Sequence, residues 1–214
     1  MKFDKRLTPT TVMLAVFSCI IPFFADFSLP LYHGLSVSVI ENVQALWLLF
    51  AFVFTLRFAL TTPLTPERKR FWLWAATWWL VLLGRSVSWG RDYFPHEPRL
   101  LFRAISVLLI GALVLFPLFS HALRQQISDR LRHQTLLVWS FALVVVTFLI
   151  SDSVEHHRAI AHFFLHKRDY QDLIEELYEF PFMIGLFYVC RDLMRREPLT
   201  AHQPQERSLA KGLR

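Results

Sequence analysis

A chain of 214 residues that is 54% hydrophobic, 15% aromatic and of mean hydropathy +0.37 is not composed to be surrounded by water. Its charges stand in short, dense connectors between long apolar runs, which excludes a disordered chain, a coiled coil, a nucleic-acid module and a disulfide scaffold. The net charge of +6 reads as basic residues gathered on membrane loops, with no nucleic-acid partner.

A helix crosses the apolar core of a bilayer in about 20 residues. Six runs approach that length: Thr11 to Leu31, Ile40 to Leu60, Phe71 to Ser88, Leu101 to Ser120, Thr135 to Ser151 and Leu173 to Leu193. The expected fold is therefore all-α, a polytopic transmembrane bundle of about six spans over residues 1–194. A polar and disordered tail follows over 195–214. Pro22, Pro117 and Pro181 fall inside runs, where each should kink its helix and free a carbonyl. The first run follows Lys2, Lys5 and Arg6 as a signal peptide would. Pro22 and Asp26 interrupt it and no small-x-small site follows, so it reads as an uncleaved span. Cys19 and Cys190 lie in apolar runs without CxxC spacing and read as small core residues, unbridged.

Orientation comes from the basic residues. With the N-terminus inside, 16 of the 23 Lys and Arg fall on the inner side, so both termini are expected in the cytoplasm of a bacterial inner membrane. The acids run the other way, with 11 of 17 outside. Acids do little to set topology, so their excess asks for a chemical reason.

The third run ends in Gly84-Arg85-Ser86-Val87-Ser88-Trp89-Gly90-Arg91-Asp92-Tyr93-Phe94. Helical spacing puts Arg85, Ser88, Trp89 and Asp92 on one face, with Trp74 and Trp78 further in. Glu41 opens the second span at the same depth and is the expected ion partner of Arg85. After the fifth span come Asp152, Glu155, His156, His157, Arg158, His162 and His166. If that helix runs on to His166, then Asp152, Glu155, His156, His162 and His166 share one arc. Asp152–His156 and His162–His166 are then i,i+4 pairs able to bind one metal. Glu175, Glu176 and Glu179 open the last span on a single face. Carboxylates opposite imidazoles can hold a divalent ion such as zinc through Asp152, His156, His162 and His166, and they can equally relay protons. No complete HExxH or paired ExxH signature is present. His33, His96, His121, His133 and His202 read as surface residues in loops or helix ends, so axial ligation of a haem is not expected.

The run Ser88-Trp89-Gly90-Arg91 with Tyr93-Phe94, together with Glu41 and Glu175-Glu176-x-x-Glu179, resembles a family of uncharacterised multi-span bacterial inner-membrane proteins. That family carries a Ser-Trp-Gly-Gln/Arg motif and a Glu-Glu-x-x-Glu opening to its last span. The resemblance implies a polytopic inner-membrane protein and no particular reaction. Gly84-Arg85-Ser86 stands where the family often has a glutamate. A fainter likeness to ceramidase-like membrane hydrolases would arrange Ser88, Asp92, Asp152, His156 and His162 around zinc.

Three functions compete. The first is a metal-dependent hydrolase of a lipid or other amphiphile, with Glu155 or Glu179 as base and Arg85 steadying negative charge. The second is a proton-coupled transporter. The third is a structural or regulatory subunit that meets a membrane-protein partner or a second copy of itself.

Overall fold

The computed structural model describes residues 2–27, 31, 34–91, 93–94, 96–158 and 160–197. Strand β1 (Lys2–Asp4) leads into α1 (Pro9–Ile20), which ends in a 3₁₀ turn over Ile21–Phe24. There follow α2 (Leu35–Thr61), α3 (Pro66–Ser86), a short 3₁₀ turn at Ser88–Gly90 and α4 (Arg99–Phe119). The chain continues through α5 (His121–His133), β2 (Thr135–Leu137), α6 (Val138–Glu155), 3₁₀ turns at Ala161–Phe163 and Arg168–Tyr170, and α7 (Gln171–Arg195).

The protein is all-α apart from one parallel ladder that pairs Lys2, Phe3 and Asp4 with Thr135, Leu136 and Leu137. Among the described residues three helices, α2, α4 and α6, are long and apolar enough to cross a membrane. Many of their outward residues are apolar, Leu46, Val107, Leu108 and Leu149 among them, while Glu41, Arg57, Arg99 and Arg103 are exposed toward the helix ends. Helices α3 and α7 have the length but carry charges toward their ends, and α1 is shorter.

Several boundaries differ from expectation for local reasons. The first run breaks at Pro22, so its helix stops at Ile20 rather than reaching Leu31. The start of the fifth run, Thr135 to Leu137, is taken by β2, and its helix begins at Val138. The connector before it forms α5, capped by the Ser120 hydroxyl, which accepts from the Leu123 amide at 3.3 Å. Cys190 is partly buried as expected, whereas Cys19 is exposed; both are free thiols.

Two of the expected freed carbonyls are met from another helix. Pro22 leaves the carbonyl of Ser18 without its helical donor, and the Tyr178 hydroxyl of α7 donates to it at 3.0 Å. Pro117 does the same to Leu113, and the Trp74 indole of α3 donates to that oxygen at 2.9 Å. Near Pro181, the buried Gln44 amide of α2 donates to the carbonyl of Glu176 at 2.8 Å. Helices α6 and α7 approach tightly at Gly185, where an added Cβ would stand 2.8 Å from a Val144 methyl.

Asp4, Arg196 and Glu197 lie at one end of the bundle. Arg196 approaches Asp4 at 3.7 Å and pairs with Asp192 at 2.8 Å. Glu197, only 6% exposed, accepts from the Trp72 indole at 3.1 Å and meets Arg130 at 2.8 Å and Arg68 at 3.5 Å. Phe71 stacks under the Arg130 guanidinium at 4.0 Å. Burial pulls the pKa of Arg130 below its ordinary value, against the opposing pull of the Glu197 carboxylate. The tail expected as disordered from 195 thus begins with Arg195 as the last residue of α7, and Arg196 and Glu197 find charged or buried partners; residues 198–214 lie outside the described ones.

Tyr178→Phe removes one hydroxyl and leaves the buried Ser18 carbonyl unmet. It is expected to cost about 1–3 kcal/mol, read as a lowered Tm of the purified protein, while Tyr188→Phe serves as the control.

Candidate functional site

At the end opposite Glu197, α2, α3, α6 and α7 enclose a cavity of about 230 Å³. Five carboxylates line it: Glu41 from α2, Glu155 from α6, and Glu175, Glu176 and Glu179 from α7. Arg85 from α3 is the cationic residue among them, and Gln44, Ser86, Ser88 and Ser151 add neutral polar groups. About one or two helical turns further in, the lining becomes apolar, with Leu48, Leu82, Phe148, Phe182 and Met183. The cavity is therefore acidic at its mouth and greasy at its floor, an arrangement that attracts cations and tolerates an amphiphile.

Arg85 and Glu41 were expected to pair. The guanidinium instead meets Glu155 at 3.1 Å, while Glu41 lines the same cavity. The carboxylate it meets is that of the last residue of α6.

That ending also overturns the expected continuation of the fifth helix to His166. Helix α6 stops at Glu155, and His157 turns left-handed at φ +49°. The amide of Arg158 donates to the Ser153 carbonyl at 2.9 Å and that of His157 to Val154 at 3.4 Å, the paired bonds of a Schellman close. Gln171 from the start of α7 donates to the carbonyls of Val154 and Glu155, both at 3.3 Å. The helix end is fully spoken for.

The five residues expected on one arc are consequently divided. Asp152, Glu155 and His156 remain together, with one ligand atom of each within 4.8 Å of the others. His156 Nδ1 lies 3.6 Å from Asp152 and 3.7 Å from Glu155, and Arg158 holds the second oxygen of Asp152 at 2.9 Å. His166 lies elsewhere: its Nδ1 is 2.8 Å from Asp26, at the end of the first 3₁₀ turn, where the neighbouring Lys167 donates to the Ala25 carbonyl. His162 sits in its own 3₁₀ turn with its ring 4.0 Å from that of Phe163. Neither joins the group around Asp152.

The expected face of Arg85, Ser88, Trp89 and Asp92 does not form either. Helix α3 ends at Ser86, and Ser88, Trp89 and Gly90 are successively left-handed at φ +48°, +60° and +97°. Ser88 lines the acidic cavity, while Trp89 turns to the other side of the chain and packs on Gly84, where a Cβ would stand 2.5 Å from its ring. Asp92 lies outside the described residues. Just beyond the turn, the Tyr93 hydroxyl donates to the Asn42 side chain of α2.

Gln44, Ser86 and Ser151 are site residues that the reading of the sequence missed. Gln44 had a signal, a lone amide three residues after Glu41 in an apolar run. The serines had none. Comparison with family models, curated proteins and solved structures finds no match for this chain.

Gly84→Ala is expected to unseat Trp89 and move the tryptophan emission to longer wavelength. The same substitution in a Trp89→Phe background should leave the emission where that background has it.

Proposed function

We propose that the chain is a six-span protein of the bacterial inner membrane, with both termini in the cytoplasm, and that its outward end binds a divalent metal ion and hydrolyses a lipid or other amphiphile. The count of basic residues supports the orientation, as does the gathering of Asp4, Arg196 and Glu197 at one end of the bundle. The resemblance of Ser88-Trp89-Gly90-Arg91 and Glu175-Glu176-x-x-Glu179 to multi-span inner-membrane proteins points the same way.

The observation that carries the activity is Glu155. It belongs both to the group with Asp152 and His156 and to the acidic cavity, so an ion held by the three would open onto that cavity. Two carboxylates and one imidazole suit zinc or manganese. Such an ion supplies a water acidified enough to attack an ester, amide or phosphate near neutral pH. An ion held there would share the Asp152 and Glu155 oxygens that Arg158 and Arg85 meet. Arg85 would then be the cavity's cation for an oxygen on which negative charge develops, and Glu179 the carboxylate to take up a proton. The apolar floor of Leu48, Phe148 and Phe182 takes the hydrophobic portion of the substrate.

Metal analysis of the full chain, purified in detergent without a histidine tag, tests this. Near-stoichiometric zinc or manganese is expected, lost in His156→Ala and Glu155→Gln but kept in His162→Ala and His166→Ala. Metal content indifferent to His156→Ala overturns the reading.

Two features favour a proton-coupled carrier instead: five carboxylates are more than one ion needs, and Pro181 stands inside α7 two residues after Glu179. A pH-driven flux in proteoliposomes that Glu176→Gln abolishes would decide for it. On the hydrolase reading, the apolar floor blocks a polar path and no such flux is expected.

A further inference from the structure

Trp89 and Ser88 face different spaces, and the space on the Trp89 side has the opposite charge. Between the turn at Ser88–Gly90 and the start of α4 lies an open groove of about 630 Å³. Its walls include Trp89, Phe94 and Phe102 together with Arg91, Arg99 and Arg103, with Glu97 as the one carboxylate among the described residues that line it. Arg91 is oriented by its Nε, which donates to the Ser88 carbonyl at 3.2 Å. None of the three guanidinium groups has a carboxylate partner among the described residues. Like charges around one groove repel one another, and the first turn of a helix favours acids, so the arrangement asks for an anion from outside.

The helix says what kind of anion. Arg99 and Arg103 are one turn apart on a single face of α4, and that stripe continues as Val107, Ile110 and Val114, at i+4, i+7 and i+11 from Arg103. These three are 70%, 43% and 51% exposed, on a helix long and apolar enough to cross a membrane. A cationic head above an exposed apolar stripe, with aromatic rings at the junction, matches a molecule with a phosphate above hydrocarbon chains.

We infer that this groove binds an anionic phospholipid, its headgroup phosphate between Arg91, Arg99 and Arg103 and its chains along Val107, Ile110 and Val114. The guanidinium groups supply fork-shaped donors to the phosphate oxygens, and Trp89 and Phe102 flank the glycerol region. The site is separate from the acidic cavity and does not depend on a metal there.

Native mass spectrometry of the full chain, released from nanodiscs of equal parts phosphatidylglycerol and phosphatidylcholine, tests it. The wild type should retain phosphatidylglycerol in preference, and Arg99→Gln/Arg103→Gln should retain it about 30-fold less. Arg99→Lys/Arg103→Lys should recover most of the binding. If the double glutamine variant does not fold, Arg91→Gln alone is expected to lose about five-fold. Unchanged retention in a folded glutamine variant overturns the proposal, as does equal retention of the two lipids. Millimolar inorganic phosphate that competes the lipid away and binds the wild type alone would assign the groove to a free anion and overturn the lipid as its occupant.

Discussion

In apolar surroundings a backbone carbonyl without a donor is expensive, because no water stands by to replace it. Prolines inside helices create such carbonyls here, and for two of them the neighbours that supply the donor decide which helix lies against which. Pro22 exposes Ser18, and Tyr178 answers, which pins α1 to α7. Pro117 exposes Leu113, and Trp74 answers, which pins α4 to α3. Where the third proline interrupts α7, Gln44 reaches the Glu176 carbonyl from α2 and holds that helix at the height of the glutamates. Places that would weaken isolated helices thereby become the joints between them. The acidic cavity depends on the last of these joints, since Gln44 lies in its wall beside the residue it anchors.

The two ends of the bundle handle charge in opposite ways. At one, Glu197 is enclosed by Arg68, Arg130 and the Trp72 indole, with Phe71 beneath the guanidinium. Breaking such a buried pair leaves an unpaired ion inside, so its role is to hold the ends of α3, α5 and α7 together. At the other, carboxylates outnumber the guanidinium in the cavity, and guanidinium groups outnumber the carboxylate in the groove. Charge balanced internally makes structure. Charge left unbalanced in a cavity or groove is what a ligand can use.

Much of this was legible in the chain. The apolar runs of α2, α4 and α7 found their helices within a few residues, because hydrophobic length is a strong signal. That Glu41, Glu155, Glu175, Glu176 and Glu179 stand at the polar ends of their runs was legible as well, but not that they share one cavity, because which helices lie side by side is not written in hydropathy. Three things were hidden, each for a definable reason. Helix α6 closes with His157 in a left-handed conformation that glycine usually occupies, so nothing in the sequence marked its end. The turn at Ser88–Gly90 uses two non-glycine left-handed residues, which helical periodicity cannot foresee. The ladder of Lys2–Asp4 on Thr135–Leu137 is only three residues long on each side, too short to show an alternating pattern.

The contact between Asp4 and Arg196 also carries an argument of parity. A path that leaves one side of a sheet of lipid and returns to the same side has crossed it an even number of times. The helices α2, α4 and α6, apolar enough to cross on their own account, are three. Three crossings alone would leave Asp4 and Arg196 separated by the full thickness of the bilayer, on the order of 30 Å, whereas they stand 3.7 Å apart. If all three cross a bilayer, at least one helix with charged ends or of shorter length would have to traverse alongside them, carried by its neighbours rather than by its own hydropathy.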